Sequence, residues 1–123
     1  MVIKRGEIYF FDLGIEKNTD VQAGIRPCLV ISNNLGNKHS NTLIILPISI
    51  HTKANLPVHI KITENDLFYG KIKDSYIMCE QIRVIDKKSI IKFVGKLRME
   101  RLQHIKHTLL ISTGFQDVET ISQ

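Results

Sequence analysis

Short apolar runs separated by turn-forming residues constrain the fold of this chain more than any other feature of its sequence. The runs are rich in Ile, Val, Tyr and Phe, are bounded by Gly, Asn, Asp or Pro, and cover residues 8–12, 27–32, 42–49, 58–62 and 75–84. This composition and length predict β-strands. A further strand is expected over 92–97, after one helical turn that Asp86 can cap. The chain is therefore predicted to be mainly β.

The pattern within the runs indicates how each strand is covered. Residues 29–31 and 43–46 are continuously apolar, which predicts strands with both faces covered. Residues 58–62 alternate instead, and this alternation places His59 and Lys61 on the wetter face of their strand.

One segment near the C-terminus has helical periodicity. Across residues 99–113, the side chains of the predicted buried stripe recur at helical spacing, at Met99, Leu102, Ile105, Leu109 and Thr113. Gly114 stands where a helix C-cap is expected. The predicted fold is a small antiparallel β-barrel with a C-terminal amphipathic helix, formed by residues 1–123 as a single domain.

Composition and charge favour a soluble protein with an anionic partner. Lys and Arg outnumber Asp and Glu by 17 to 12, which gives a net charge of +5 and a pI near 9.3. This excess suits nucleic acid or an acidic protein segment, although a merely solvated basic surface explains it equally well. No apolar run approaches the ~20 residues of a membrane-spanning helix. Cys28 and Cys79 lie in apolar runs, and we interpret them as buried thiols in a reducing cytoplasm.

Three polar connections, at residues 14–25, 33–41 and 50–56, are long for a domain of this size. Long loops on a rigid scaffold often carry binding residues. These loops hold basic side chains suited to phosphate contacts, at Lys17, Lys38, His39, His51 and Lys53. Solvated loop charge explains any one of them as well.

Familiar catalytic motifs are absent from the sequence, which has no zinc-type ligand spacing, P-loop, G-x-S-x-G or H-E-x-x-H. We therefore expect neither a metal ion nor a cofactor. A histidine could act as the general base of a nuclease, and the chain has five, at positions 39, 51, 59, 104 and 107. His104 and His107 lie in the predicted helix and are expected on its surface, and composition does not select among the other three.

Five blocks of sequence, taken in order, form a more specific pattern. They are residues 4–9 with Asp12-Leu13, Gly24-Ile25-Arg26-Pro27 leading into residues 29–33, Pro47-Ile48-Ser49, residues 56–60, and residues 74–87 with Glu80-Gln81-Ile82-Arg83 inside them. Together they resemble the MazF/PemK toxin endoribonucleases of type II toxin–antitoxin systems. The resemblance extends from about residue 3 to Gly114.

The resemblance implies a compact SH3-like barrel of the PemK type that cleaves single-stranded RNA, such as mRNA, at short motifs and without a metal ion. It also implies a cytoplasmic homodimer that is silenced by a cognate antitoxin with an acidic C-terminal segment. The implied catalytic residues are Arg26, to stabilise charge on the phosphate, and Ser49, to hold the phosphate in line with the ribose 2′-OH. Further contacts with RNA are expected from Lys17, Asp20, Gln22, Lys53, Leu56 and Gln81.

Two departures from the family pattern affect RNA recognition more than the reaction. Many relatives carry a Glu-Gln pair shortly before G-x-R-P, whereas this chain has Asp20-Val21-Gln22. Ser49 stands where relatives often have Thr, so the hydroxyl is kept while its rotamer is less restricted.

Other functions remain open on the sequence. A CcdB-like toxin would bind DNA gyrase without cleaving RNA, and a non-catalytic barrel would only bind RNA. Participation of an acid or a histidine in catalysis is also open, with candidates at Asp20, His39, His51 and His59.

Overall fold

Antiparallel strands in one curled sheet form the largest part of the computed structural model, which describes residues 2–15, 19, 21–51 and 56–117. The strands are β1 (Glu7–Asp12), β2 (Ile25–Val30), β3 (Thr42–Ser49), β4 (His59–Ile62), β5 (Leu67–Gly70), β6 (Ser75–Met78), β7 (Arg83–Asp86) and β8 (Ile90–Leu97). The α-helices are α1 (Asn34–His39) and α2 (Met99–Ser112). Short 3-10 turns span Glu64–Asp66, Cys79–Gln81 and Lys87–Ser89. The prediction of a mainly β fold with a C-terminal helix is confirmed.

The long strand β3 connects the two branches of the sheet. On one side it pairs with β2, which continues through β1 and β8 to the edge strand β5. On its other side, the first half of β3 pairs with β7, whereas Ile48 and Ser49 at its end pair with β6. The sheet therefore divides along β3, and the end of β3 lies where the two branches separate.

Apolar side chains fill a core on each face of the sheet. Adjacent residues point to opposite faces of a strand, so Ile8 belongs to one core and Tyr9 to the other. One core also contains Leu29, Leu46, Ile48, Ile60, Ile62, Leu67, Ile77, Cys79, Leu97 and Ile105. The second contains Ile3, Phe11, Leu13, Cys28, Val30, Leu43, Ile45 and Ile85. The continuous apolar runs thus do form strands covered on both faces, except at Ile44, which remains exposed.

Helix α2 follows the predicted boundaries closely. It ends with a C-cap at Thr113, and Gly114 adopts the left-handed φ of +79° that favours glycine. Ile105 is buried in the core, as its place in the apolar stripe predicts. Met99 and Thr113, at the two ends of the predicted stripe, are exposed instead, Met99 to 70%.

Three other expectations need correction. The predicted strand over 75–84 is interrupted by the turn Cys79–Gln81, which separates β6 from β7. The predicted loop over 33–41 contains α1, capped by the Asn33 side chain. Strand β5 was not predicted, because only its first residue, Leu67, is buried and no apolar alternation marks it.

Both cysteines are free and buried, as predicted. Burial raises the pKa of each thiol to about 12. Among the described residues, no helix is long and apolar enough to cross a membrane.

Candidate active site

Arg26 and Ser49 lie at the same end of the β2–β3 pair. The register pairs Val30 with Ile45 and Cys28 with Pro47. Two residues further along each strand, this register leads to Arg26 on β2 and Ser49 on β3. Alternation along both strands places the two side chains on the same face of the sheet. Continued along both strands, the register therefore sets Arg26 across from Ser49, the catalytic pair implied by the sequence resemblance.

The local sequence orients Arg26. Pro27 follows it, and a proline disfavours helical backbone in the residue before it, which suits the start of a strand. The half-buried side chain turns back, and its Nε donates a hydrogen bond to the carbonyl oxygen of Ala23 at 3.1 Å. This bond leaves the two terminal nitrogens of the guanidinium as donors in a fixed fork.

Ser49 is held at the last position of β3. It is only 7% exposed, and its Oγ accepts a hydrogen bond from the backbone nitrogen of His51 at 3.2 Å. A serine hydroxyl that accepts one bond can still donate its own proton. The geometry therefore presents a fixed hydroxyl donor near the strand end.

Gln81 and Arg83 approach the same corner from β7 and the turn before it. The side-chain oxygen Oε1 of Gln81 accepts from the backbone nitrogen of Gln22 at 3.3 Å. The Nη1 of Arg83 donates to the carbonyl oxygen of Gln22 at 3.2 Å. We refer to Gln22, Arg26, Ser49, Gln81 and Arg83 as the polar corner.

Two arginines of the polar corner affect the pKa of the buried Cys28 thiol. Burial raises the pKa of its thiol to about 12, while the guanidinium groups of Arg83 and Arg26 act to lower it. Both arginines are therefore close enough to act on one buried group. Their combined positive charge makes this corner suited to an anion.

Leu56 lies beside the polar corner, at the end of the connection that follows β3. Its carbonyl oxygen accepts from the backbone nitrogen of His59 at 3.0 Å. The His59 ring in turn contacts Glu80 at 2.7 Å between Nε2 and Oε2. Since Glu80 precedes Gln81, these bonds tie Leu56 to the turn that carries Gln81.

The remaining predicted RNA contacts, at Lys17, Asp20 and Lys53, lie outside the described residues. Of the histidines, His51 follows Ser49 closely in the chain and is exposed. His39 lies in α1, while His104 and His107 lie on the exposed side of α2.

Within the described ranges, no group of three or more His, Cys, Asp or Glu side chains could hold a metal ion.

Sequence reasoning did not identify two features of this site, the Arg83 contact and the His59–Glu80 pair. The polar pair Glu80-Gln81 inside an otherwise apolar run was the available signal for a break in the strand. No sequence pattern indicates the Arg83 contact, because it depends on a residue 61 positions away.

An apolar groove of about 410 Å³ lies next to the polar corner. We call it the α2 groove; its walls are formed by Arg5, Ile31, Ile82, Met99, Leu102, Gln103, Ile105, Lys106, Leu109, Leu110 and Thr113. Ile82, which follows Gln81 directly, is 41% exposed. Beyond it, Ile44 and Val84 form an exposed cross-strand pair. The polar corner and the α2 groove therefore adjoin where Gln81 of the former is followed in the chain by Ile82 of the latter.

The structure combines a small β-barrel and a C-terminal helix with a corner that carries two arginines and a serine hydroxyl. The profile of one protein family, described as PemK-like, MazF-like toxin of type II toxin-antitoxin system, matches residues 4–113. The chain belongs to this family of toxins.

Similar proteins support the family and the fold. Endoribonuclease EndoA of Bacillus subtilis (strain 168) is 39% identical over 118 residues, which cover 95% of this chain and 99% of the relative. The crystal structure of MazF (Form-I) from Deinococcus radiodurans matches with a TM-score of 0.76 and 17% identity, over 93% of this chain and 98% of that one. An endoribonuclease in complex with its cognate antitoxin, from a mycobacterial species, matches with a TM-score of 0.70 and 20% identity, over 92% of this chain and 94% of that one. The PemK-type barrel is thereby confirmed.

Proposed function

We infer that the chain is an endoribonuclease toxin, and we propose that it cleaves single-stranded RNA, including mRNA, at short sequence motifs without a metal ion. Family membership and the 39% identity to Endoribonuclease EndoA support the nuclease over the two alternatives, a gyrase-binding toxin and a non-catalytic barrel. The observation that carries the proposal is the convergence of Arg26 and Ser49 at the end of the β2–β3 pair.

In the proposed reaction, the ribose 2′-oxygen forms a bond to the adjacent phosphorus while the bond from phosphorus to the 5′-oxygen breaks. The products are a 2′,3′-cyclic phosphate and a 5′-hydroxyl, and the proton of the 2′-OH is balanced by protonation of the leaving oxygen. Negative charge grows on the non-bridging oxygens during this step. The forked guanidinium of Arg26 is suited to stabilise that charge because its Nε is already held by Ala23. Ser49 would donate to the phosphate and keep it in line with the 2′-oxygen.

RNA recognition is assigned to the rim of the polar corner. Gln81 and Gln22 carry amides that can both donate to and accept from base edges, and Leu56 offers an exposed apolar contact beside them. Lys17 and Lys53 would contact phosphates, and Asp20 would accept from a base. These roles would determine which motif is cleaved rather than how the bond is broken.

A homodimer would extend the RNA site across two subunits. The α2 groove, together with Ile44 and Val84, forms an exposed apolar face of the kind that marks a protein interface. A two-fold axis through this face would bring a second copy of Gln81 close to the first, because Ile82 opens onto the groove. Loops from both protomers could then flank one strand of RNA.

The proposed regulator is a cognate antitoxin that acts in the cytoplasm. An acidic C-terminal segment of such a partner would complement the net charge of +5 on the toxin. If it covers the polar corner, it competes with RNA, and its affinity falls as salt concentration rises. A solved structure of a mycobacterial endoribonuclease with its cognate antitoxin shows that such complexes occur in proteins of this fold.

Digestion of RNA by the purified protein in excess EDTA tests this function. We expect site-selective cleavage to continue at the rate measured without chelator. Loss of cleavage in EDTA that Mg²⁺ or Mn²⁺ restores would contradict metal independence. RNA binding without cleavage under either condition would support the non-catalytic barrel instead.

A further inference from the structure

We propose that Arg83 is a positioning residue for the reaction, which fastens the backbone of residues 22–24 and thereby aims the guanidinium of Arg26 at the phosphate. This inference rests on the proposed function. Arg83 pairs with Ile45 of β3 through its backbone, whereas its side chain contacts Gln22, 61 positions away in the chain.

The segment from Gln22 to Gly24 is anchored on two sides. On the β1 side, the backbone nitrogen of Gly24 donates to the carbonyl oxygen of Gly14 at 2.8 Å, and the nitrogen of Leu13 donates to the carbonyl oxygen of Gly24 at 2.9 Å. Gly24 has a φ of +76°, a left-handed conformation that favours glycine. These bonds hold one end of the segment against the residues that follow β1.

Two side chains hold the other end of the segment. Arg83 donates to the carbonyl oxygen of Gln22, and Gln81 accepts from its backbone nitrogen, so both polar groups of one peptide residue are bound. Arg83 itself is fixed by β7, where it pairs with Ile45 of β3. A rigid sheet position is thus connected to a loop residue 61 positions away in the chain.

Ala23 lies between these two anchors, and its carbonyl oxygen is the acceptor for the Nε of Arg26. The direction of the guanidinium fork therefore depends on where this carbonyl points. Without Arg83, the carbonyl of Gln22 loses its bond to β7, and the bond from the Gln22 nitrogen to Gln81 is left to hold this side of the segment. Since a misplacement of about 1 Å can reduce catalysis about 10²-fold, loss of this anchor should affect the reaction.

A positioning role explains the geometry better than a direct phosphate contact does. Nη1 of Arg83 already donates to the Gln22 carbonyl, so this guanidinium has a structural partner that a phosphate contact would have to share. Arg83 still adds positive charge near Cys28, as Arg26 does. If that charge acted directly on the substrate, its loss would weaken RNA binding as well as cleavage.

Kinetics of the full-length protein distinguish these roles. We expect Arg83→Met to lower the single-turnover cleavage rate by about 10- to 100-fold. The Kd for an RNA with a 2′-deoxy nucleotide at the scissile position should change less than about threefold, because the phosphate-contacting cations remain. Arg83→Lys should recover part of the rate, because an ammonium can donate to the Gln22 carbonyl without the fork. Arg98→Met is the matched control, since Arg98 donates to the Asn65 carbonyl at 3.1 Å away from the polar corner.

A double-mutant cycle with Arg26 gives the decisive comparison. If Arg83 acts through Arg26, adding Arg83→Met to Arg26→Ala should lower the rate less than about twofold further. Additive losses in the double variant, or a wild-type rate for Arg83→Met alone, would overturn the proposal. Should circular dichroism show Arg83→Met to be unfolded, the same cycle is measured with Arg83→Lys.

An NMR readout separates this inference from the proposed function. The Nε–H resonance of Arg26 should be protected from exchange in the wild type and in Arg98→Met, and should lose protection in Arg83→Met. Unchanged protection in Arg83→Met would refute the tether even if cleavage is impaired. Lost protection together with full activity of Arg26→Ala would instead refute the proposed catalytic role of Arg26.

Discussion

The polar corner and the α2 groove are neighbours that differ in how their residues are held. In the polar corner, side chains from β2, β3 and β7 are fixed by hydrogen bonds to backbone groups of the segment before β2 or the residues after β3. In the α2 groove, side chains of α2 and the residues around Ile31 and Ile82 present an apolar surface with few polar groups. The hydrogen bonds of the polar corner fix the direction of its donor groups, which the stabilisation of charge requires. The α2 groove offers apolar surface instead, which association with another protein requires.

This difference predicts that chemistry and assembly can be disrupted separately, although the two regions meet between Gln81 and Ile82. A change in the polar corner should remove cleavage and leave the dimer intact. A change in the α2 groove should weaken the dimer and affect cleavage only through it.

The largest effect is expected for Arg26→Ala. Loss of the guanidinium should lower the cleavage rate by about 10² to 10³, as for removal of one oxyanion donor. RNA binding should weaken far less, because other cations share the phosphate contacts. Single-turnover kinetics and the dimer mass by light scattering provide the measurement, with Arg98→Ala as the control arginine. A near wild-type rate for Arg26→Ala would remove Arg26 from the site.

Met99→Glu should weaken the proposed dimer by a factor on the order of 10², since an unpaired charge buried in an apolar interface costs about 3 kcal/mol or more. Met99 is exposed in one protomer and lines the α2 groove, so the change should not disturb the fold. Sedimentation across a concentration series measures the shift. Ile91→Glu is the matched control, because Ile91 is also exposed but lies on β8, outside the groove. Equal dimer stability in Met99→Glu and wild type would place the interface elsewhere.

Ser49→Ala should reduce cleavage by about tenfold, less than Arg26→Ala, because the hydroxyl aligns the phosphate while the guanidinium carries the charge. Ser49→Thr should retain activity, since it keeps the hydroxyl and restricts its rotamer. Rates of the two variants at saturating RNA provide the comparison. If Ser49→Ala and Ser49→Thr behave alike, the hydroxyl has no part in the reaction.

The smallest effect concerns the thiol beneath the polar corner. Because burial raises the pKa of Cys28 to about 12, almost no thiolate is present at pH 8 and alkylation should be slow. Treatment of the native protein with iodoacetamide should leave cleavage unchanged and label neither Cys28 nor Cys79, as judged by mass spectrometry. Labelling of both after urea denaturation is the control. Rapid native labelling of Cys28 would show that the corner opens to solvent.

Local sequence patterns predicted the strands better than the site. Strand β3 matches its predicted bounds because a continuous apolar run lies between polar neighbours, and α2 matches because its capping glycine is unambiguous. The break at Cys79–Gln81 was missed because apolar residues stand on both sides of it. Arg26 and Ser49 came from the family resemblance, whereas the role of Arg83 depends on a long-range contact that no local pattern encodes.

The proposed nucleophile for RNA cleavage at the polar corner is the substrate's own 2′-OH. The most direct test is cleavage in EDTA of two oligonucleotides that differ only by a 2′-deoxy nucleotide at the scissile position. We predict that the all-ribose substrate yields a 2′,3′-cyclic phosphate and a 5′-hydroxyl, identified by mass spectrometry, and that the 2′-deoxy substrate is bound but not cut at that bond. Cleavage of the 2′-deoxy substrate there, or a 5′-phosphate on the product, would contradict the account.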